Sequence, residues 1–235
     1  MAAPHGPGTV LAAGAAELDL TISPDRYTCL ERFLALVDEW RPRVQLTGVD
    51  STEAAAVLVV GAFCILPFVP ESGRLVDLGS GAGVPGVPLA ILRPGLRVVL
   101  VDAARKKTAF LEIVARELAL SNVDVVQMRA EALGRDPAHR GQYDVVTARA
   151  LAPVRVLAEY TLPLLRAGGM AVLPKGPGAA HEVGEAARAL TLLGGEAAVR
   201  AAGSQLCSPT VLLKKVVEAP ARYPRRAGVP ARRPL

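Results

Sequence analysis

The segment Leu75-Val-Asp-Leu-Gly-Ser-Gly-Ala-Gly-Val-Pro-Gly86 constrains this chain more than any other. An apolar run carries an acidic residue, Asp77, near its end, and Gly79, Gly81 and Gly83 follow at alternate positions. This is the pattern of a strand that breaks into a tight turn. Glycine permits backbone angles closed to other residues and leaves room for a ligand to touch the backbone. A helix opening directly afterwards presents free N–H groups to polar or anionic atoms. A ligand-free turn needs one glycine rather than three, so the segment points to a nucleotide-like cofactor.

Two cofactors fit the spacing. Gly81-Ala-Gly83-Val-Pro-Gly86 satisfies the dinucleotide G-x-G-x-x-G pattern. The other register, Asp77-x-Gly79-x-Gly81-x-Gly83, looks like the first motif of S-adenosylmethionine (SAM) methyltransferases. A carboxylate next to a pyrophosphate is repulsive, whereas one close to the methionine ammonium is attractive. Asp77 therefore favours SAM.

Downstream of residue 71, apolar runs alternate with helical spacing. Short strands are expected at 74–78, 97–101, 123–128, 143–148 and 170–173, and helices at 87–92, 106–120, 154–165 and 182–193, with a closing pair of strands at 197–201 and 211–217. That alternation implies an α/β domain over residues 71–218, a doubly wound Rossmann-like sheet with ligands at the strands' carboxyl ends. Before it, residues 17–70 read as a helical extension. Ser23-Pro24-Asp25 starts one helix and Asp50-Ser-Thr-Glu53 resembles a capping box for a second. The uncharged stretch 54–70 is at the short limit for a membrane span and contains Gly61 and Pro67, so it reads as a buried helix. Residues 1–16, rich in Ala, Gly and Pro, are expected to be disordered.

Charge is unevenly placed. The formal net charge is +5, and residues 219–235 contain Arg222, Arg225, Arg226, Arg232 and Arg233 with no acid. The rest of the chain is thus formally neutral, and the tail is a footprint for a polyanion, remote from the glycine turn. Cys29, Cys64 and Cys207 form no C-x-x-C pair and are expected as reduced thiols in a cytoplasmic protein. His5, His139 and His181 lack metal-ligand spacing, so no metal is expected.

At the strand ends stand further candidates. Asp102 ends the second strand, where a carboxylate can accept both hydroxyls of a ribose. Ala130 and Glu131 follow the third strand, where an adenine edge belongs, and Arg149 follows the fourth, facing the substrate. Arg105, Lys106 and Lys107 open a helix against its dipole, which suggests a second anion-binding patch.

These residues make the chain resemble the bacterial 16S ribosomal RNA guanine-N7 methyltransferase family, also called glucose-inhibited division protein B. The likeness rests on Val76–Leu89, Val101–Leu111, Arg129-Ala-Glu131, Ala148–Ala152, Lys175-Gly176 and Arg222–Gly228, with Val44–Thr47 an imperfect match. It implies that Gly79, Val84, Ala130, Glu131 and Arg149 contact SAM, with Asp77, Gly81, Gly83 and Asp102 completing the general methyltransferase pattern. On chemical grounds Arg149 or Lys175 can hold guanine O6 or a phosphate, and the charge clusters of Arg105, Lys106 and Lys107 and of Arg222, Arg225 and Arg226 are the expected RNA contacts. Ribosomal RNA or the 30S subunit is the expected partner of a monomer. The family's Arg-His and Asp-Ser pairs are absent, with Leu58, Val59, Ala62 and Phe63 in their place. The alternatives are a methyltransferase for another RNA or a small molecule, a SAM-binding RNA module without activity, and an NAD-dependent oxidoreductase.

Overall fold

A computed structural model describes residues 6–44 and 51–235. Parts of two sequence matches, Gln45–Thr47 and Asp50, lie outside the described residues. The strands are β1 (Ser72–Leu78), β2 (Gly95–Asp102), β3 (Val123–Gln127), β4 (Tyr143–Ala148), β5 (Leu165–Pro174), β6 (Gly195–Arg200) and β7 (Thr210–Lys215). They form one sheet in the order β3-β2-β1-β4-β5-β7-β6. The first five are parallel, and β7 enters antiparallel between β5 and β6.

Helices cover both faces. They are α1 (Pro7–Glu17), α2 (Pro24–Trp40), α3 (Thr52–Phe63), α4 (Gly86–Leu92), α5 (Arg105–Glu117), α6 (Ala130–Leu133), α7 (Val154–Thr161), α8 (Ala179–Glu185), α9 (Ala187–Leu193) and α10 (Val229–Arg232). Side chains alternate across a strand, and here the alternation feeds two cores. Leu75, Leu96, Val98 and Leu100 join the core under α1 to α5, while Val76, Leu78, Val99 and Val101 join the core under α7 and α9. Strands buried on both faces read as continuous apolar runs, which is why the parallel sheet was visible in the sequence.

Two expectations change. Residues 7–16 are helical rather than disordered. Leu11 and Ala15 are buried, and α1 packs on α3, so tertiary burial outweighs a composition poor for an isolated helix. Cys64 and Cys207 are not separate thiols but a disulfide, with Cα atoms 5.6 Å apart. The fold brings the end of α3 to the loop before β7, a proximity hidden by a sequence separation of 143. Cys29 stays free, and burial raises its pKa.

The tail is ordered. Tyr223 and Pro230 are buried. Arg140 donates to the carbonyls of Ala219 and Tyr223 at 2.7 and 2.6 Å, and Arg135 donates to that of Pro224 at 2.6 Å. Residues 219–235 are an ordered strap on the domain, because arginines from the domain satisfy its carbonyls.

Candidate functional site: a cofactor cavity at the strand ends

Order in the sheet reverses about β1, whose neighbours are β2 and β4. Connections leave β1 and β4 to opposite faces and open a crevice at the carboxyl ends. A cavity of about 460 Å³ occupies it, bordered by the glycine loop, Asp102, Lys107, Ala130, Glu131 and Arg149. A second groove of about 550 Å³ lies at the opposite ends of β1 and β2, between Arg74, Arg97 and Asp124. It is more voluminous, but the residues that line it all belong to β1, β2 and β3.

The loop is held from below. The Gly79 and Ser80 amides donate to the Val101 carbonyl at 2.8 and 3.0 Å, and the Ser80 hydroxyl accepts from the Val101 amide at 3.0 Å. The Gly81 amide donates to Asp102 Oδ2 at 3.1 Å. Gly81 has a φ of +55°, and a Cβ there would meet only the Gly79 carbonyl oxygen, at 3.6 Å. Its backbone borders the cavity, as the sequence suggested. Gly83 is different, for a Cβ there would strike Val87 at 2.8 Å and approach Leu111 and Phe33. Gly83 serves helix packing and does not border the cavity.

Asp77 also departs from expectation. It is 1% exposed and lies beneath the loop rather than in the cavity wall. Its carboxylate accepts from the Thr147 hydroxyl at 2.8 Å and the Gly86 amide at 3.3 Å, so it ties β1 to β4 and to the start of α4. Burial pushes its pKa up to about 6, although the hydrogen bonds from Thr147, Ser80 and Gly86 oppose the rise. A folded-state pKa above the unfolded value of 3.8 means that the folded chain binds the extra proton between those values. Asp77 therefore adds stability at low pH that is lost as pH rises through about 6. Relative to Asp77→Asn, the wild-type chain should lose about 2–3 kcal/mol of stability between pH 4 and pH 7. Urea denaturation of both proteins across that range checks it, and a flat difference would exclude the buried carboxyl as its source.

Asp102 and Lys107 meet in the cavity lining. Asp102 Oδ1 accepts from the Ala104 amide at 2.8 Å, and Lys107 Nζ stands 4.0 Å from Oδ2. Lys107 thus borders the cavity, whereas Arg105 and Lys106 point to solvent from the same helix start. Across the cavity Glu131 is 4% exposed, and its Oε1 accepts from the Gly228 amide at 2.7 Å and the Tyr160 hydroxyl at 3.3 Å. Burial first, then Glu131, raises the Tyr160 pKa to about 12, so this hydroxyl remains a donor.

Arg149 stands at the end of β4, half-buried, with no hydrogen bond or ion pair among the described residues. Burial lowers its pKa while the Asp77 charge raises it. Ala150 beside it has a φ of +50°, a left-handed conformation uncommon outside glycine. Lys175 does not reach the cavity. Its Nζ donates to the Ala152 carbonyl at 3.1 Å and pairs with Glu182 at 2.8 Å, and Glu182 in turn accepts from the Val154 amide. Lys175 holds the loop that carries Arg149 and does not line the cavity.

Arg225 is also withdrawn from the expected RNA contacts. Its Nε and terminal nitrogen bind both oxygens of the fully buried Glu159, at 2.6 to 3.1 Å. Arg222 and Arg226 remain exposed. Sequence reasoning missed Leu58, Met128, Leu151 and Tyr160 in the cavity lining. Single apolar residues on separate elements carry no motif, so only the fold could gather them.

The lining suits SAM: a glycine backbone after β1, a carboxylate at the end of β2, and Ala130 and Glu131 beyond the end of β3. Together, fold and cavity define a SAM-dependent methyltransferase domain. The cyclase SpnF shares this fold, with a TM-score of 0.57, 15% identity, and coverage of 84% of this chain and 98% of that one. The sequence is similar to the ribosomal RNA small subunit methyltransferase G of Roseiflexus castenholzii, 45% identical over 87% of this chain and 89% of the relative. The protein of the same name from Roseiflexus sp. (strain RS-1) is 46% identical over the same shares. Residues 26–206 match the family described as GidB, rRNA small subunit methyltransferase G, and the chain belongs to it.

Proposed function

We propose that the chain transfers the methyl group of SAM to N7 of a guanine in 16S ribosomal RNA, in the cytoplasm. The observation that carries this reading is Arg149, unpaired among the described residues, in the lining of the cavity that Gly79 to Ala82 and Val84 also border. SAM supplies a methyl group already activated on a sulfonium. N7 of guanine offers a free lone pair and no proton, so the chain's task is to hold base and cofactor in line rather than to remove a proton.

The cavity's residues suit that task. Its two carboxylates are already engaged, Asp102 by the amides of Gly81 and Ala104 and Glu131 by Gly228 and Tyr160. Neither is poised as a general base. Arg149 remains cationic and can hold guanine O6 or a flanking phosphate. A bidentate grip on O6 and N7, common in base recognition, would cover the attacked atom, so Arg149 is expected to reach O6 alone. Arg105 and Lys106 at the start of α5 and Arg222 and Arg226 on the strap supply exposed charge for the RNA backbone.

The direct test is base-resolved mapping of 7-methylguanine in 16S RNA treated with the purified enzyme. Arg149→Ala should lower turnover at least tenfold while melting within a few degrees of wild type. Unchanged turnover would remove Arg149 from the reaction. Methyl incorporation at another atom or into another RNA would overturn the N7 assignment.

A further inference from the structure

Tail and cavity meet at one carboxylate. Glu131 borders the cavity, and its Oε1 accepts from the Gly228 amide and the Tyr160 hydroxyl. Its Oε2 has no partner among the described residues and is not among the buried unpartnered atoms, so it opens on accessible space. Adjacent to Tyr160 on α7 is Glu159, which is 0% exposed. Glu159 Oε1 accepts from the Arg225 amide at 2.7 Å, and the Arg225 guanidinium spans both its oxygens. Two neighbouring residues of α7 are thereby joined to a short stretch of the strap. One rung is Glu159 with Arg225; the other is Tyr160, Glu131 and Gly228.

We propose that the segment from Arg225 to Gly228 is a positioning element of the SAM pocket. Arg225, clamped on Glu159, sets the Gly228 amide against Glu131 and so fixes the carboxylate that walls the adenine side. The physical reason is competition for orientation. A buried carboxylate turns toward its donors, and a Glu131 whose Oε1 is held by two of them can present only Oε2 to the cavity. Without the Gly228 amide, Oε1 keeps one long bond to Tyr160 and the carboxylate is free to rotate out of register. Binding and strap docking are then coupled, and the coupling is reciprocal: a ligand that needs this orientation tightens the strap. The inference rests on the cavity being the SAM site and is independent of which RNA is methylated.

Hydrogen exchange on the full-length wild-type chain, with and without S-adenosylhomocysteine, tests it without any substitution. Amides of residues 79–84 and of residues 225–228 should both slow, the latter by about tenfold. Slowing at 79–84 with no change at 225–228 would overturn the coupling and leave the cofactor site standing. Slowing at neither place would overturn both. A second arm measures S-adenosylhomocysteine affinity by calorimetry in Arg225→Ala and Arg225→Lys. The alanine variant should bind about tenfold more weakly, with a raised KM for SAM and an unchanged kcat at saturation. The lysine variant, able to keep one charged bond to Glu159, should recover most of the affinity. A lower melting temperature with unchanged affinity in Arg225→Ala would mean that the clamp only stabilises the fold. Should that variant fail to fold, the exchange measurement on the wild-type chain decides.

Discussion

Gly81→Val should abolish detectable SAM binding, a loss of at least a hundredfold in affinity, and leave a folded chain. The Gly81 backbone faces the cavity, and a Cβ built there meets nothing closer than the Gly79 carbonyl oxygen at 3.6 Å. The valine side chain therefore has space in the empty protein, and that space is the ligand's. A φ of +55° adds strain of about 1–2 kcal/mol for a residue with a Cβ, more for a branched one. That strain threatens the Gly81 amide bond to Asp102, but the loop keeps its anchors at Val101. Calorimetry with SAM and circular dichroism on the same sample check both halves. Affinity within threefold of wild type would falsify the placement of the cofactor on this loop. Gly83→Val makes the useful contrast: its Cβ strikes Val87 and crowds Leu111 and Phe33, so the expected loss is of stability first.

The second large effect concerns RNA. Replacing Arg222, Arg226, Arg232 and Arg233 with glutamine, and keeping Arg225, should flatten the salt dependence of RNA binding. All four side chains are exposed on a strap that is itself anchored to the domain. An ordered cationic surface gathers phosphates by displacing their counterions, and each single-strand contact adds roughly 0.7 to the log–log salt slope. If two to four of these arginines meet phosphates, the slope should shrink by about 1.4–2.8. Affinity at low salt should fall by one to two decades, while affinity for S-adenosylhomocysteine stays as it was, since Arg225 and Gly228 are untouched. Filter binding across a salt series measures the slope. Equal slopes for the two proteins would assign RNA contact to other charges, such as Arg105 and Lys106.

Deleting the whole tail would confuse these two roles. The sequence presents residues 219–235 as one block of like charge, from which a single polyanion-binding function follows. Charge counting cannot see that Glu159, on α7, is buried and needs a cation. Arg225 is that cation, and its neighbour Arg226 is not, because the strap's path alone decides which of two adjacent arginines turns inward.

What the sequence determined by itself was local and periodic. Apolar runs long enough to be buried on both faces required a covered parallel sheet, and three alternate glycines after β1 required a turn open to a ligand. Motif order along the chain also placed Asp102, Ala130, Glu131 and Arg149 at successive strand ends, because a doubly wound sheet returns each carboxyl end to the same edge. Tertiary structure decided which of the candidates touch the cavity. It put Asp77 under the loop, Gly83 against helix side chains, Lys175 on Glu182 and Arg225 on Glu159. It also folded α1 onto α3 and joined Cys64 to Cys207. Each of these outcomes depends on a partner distant in the sequence. Burial, pairing and the direction a side chain faces are properties of two surfaces in contact, and a one-dimensional pattern holds only one of them.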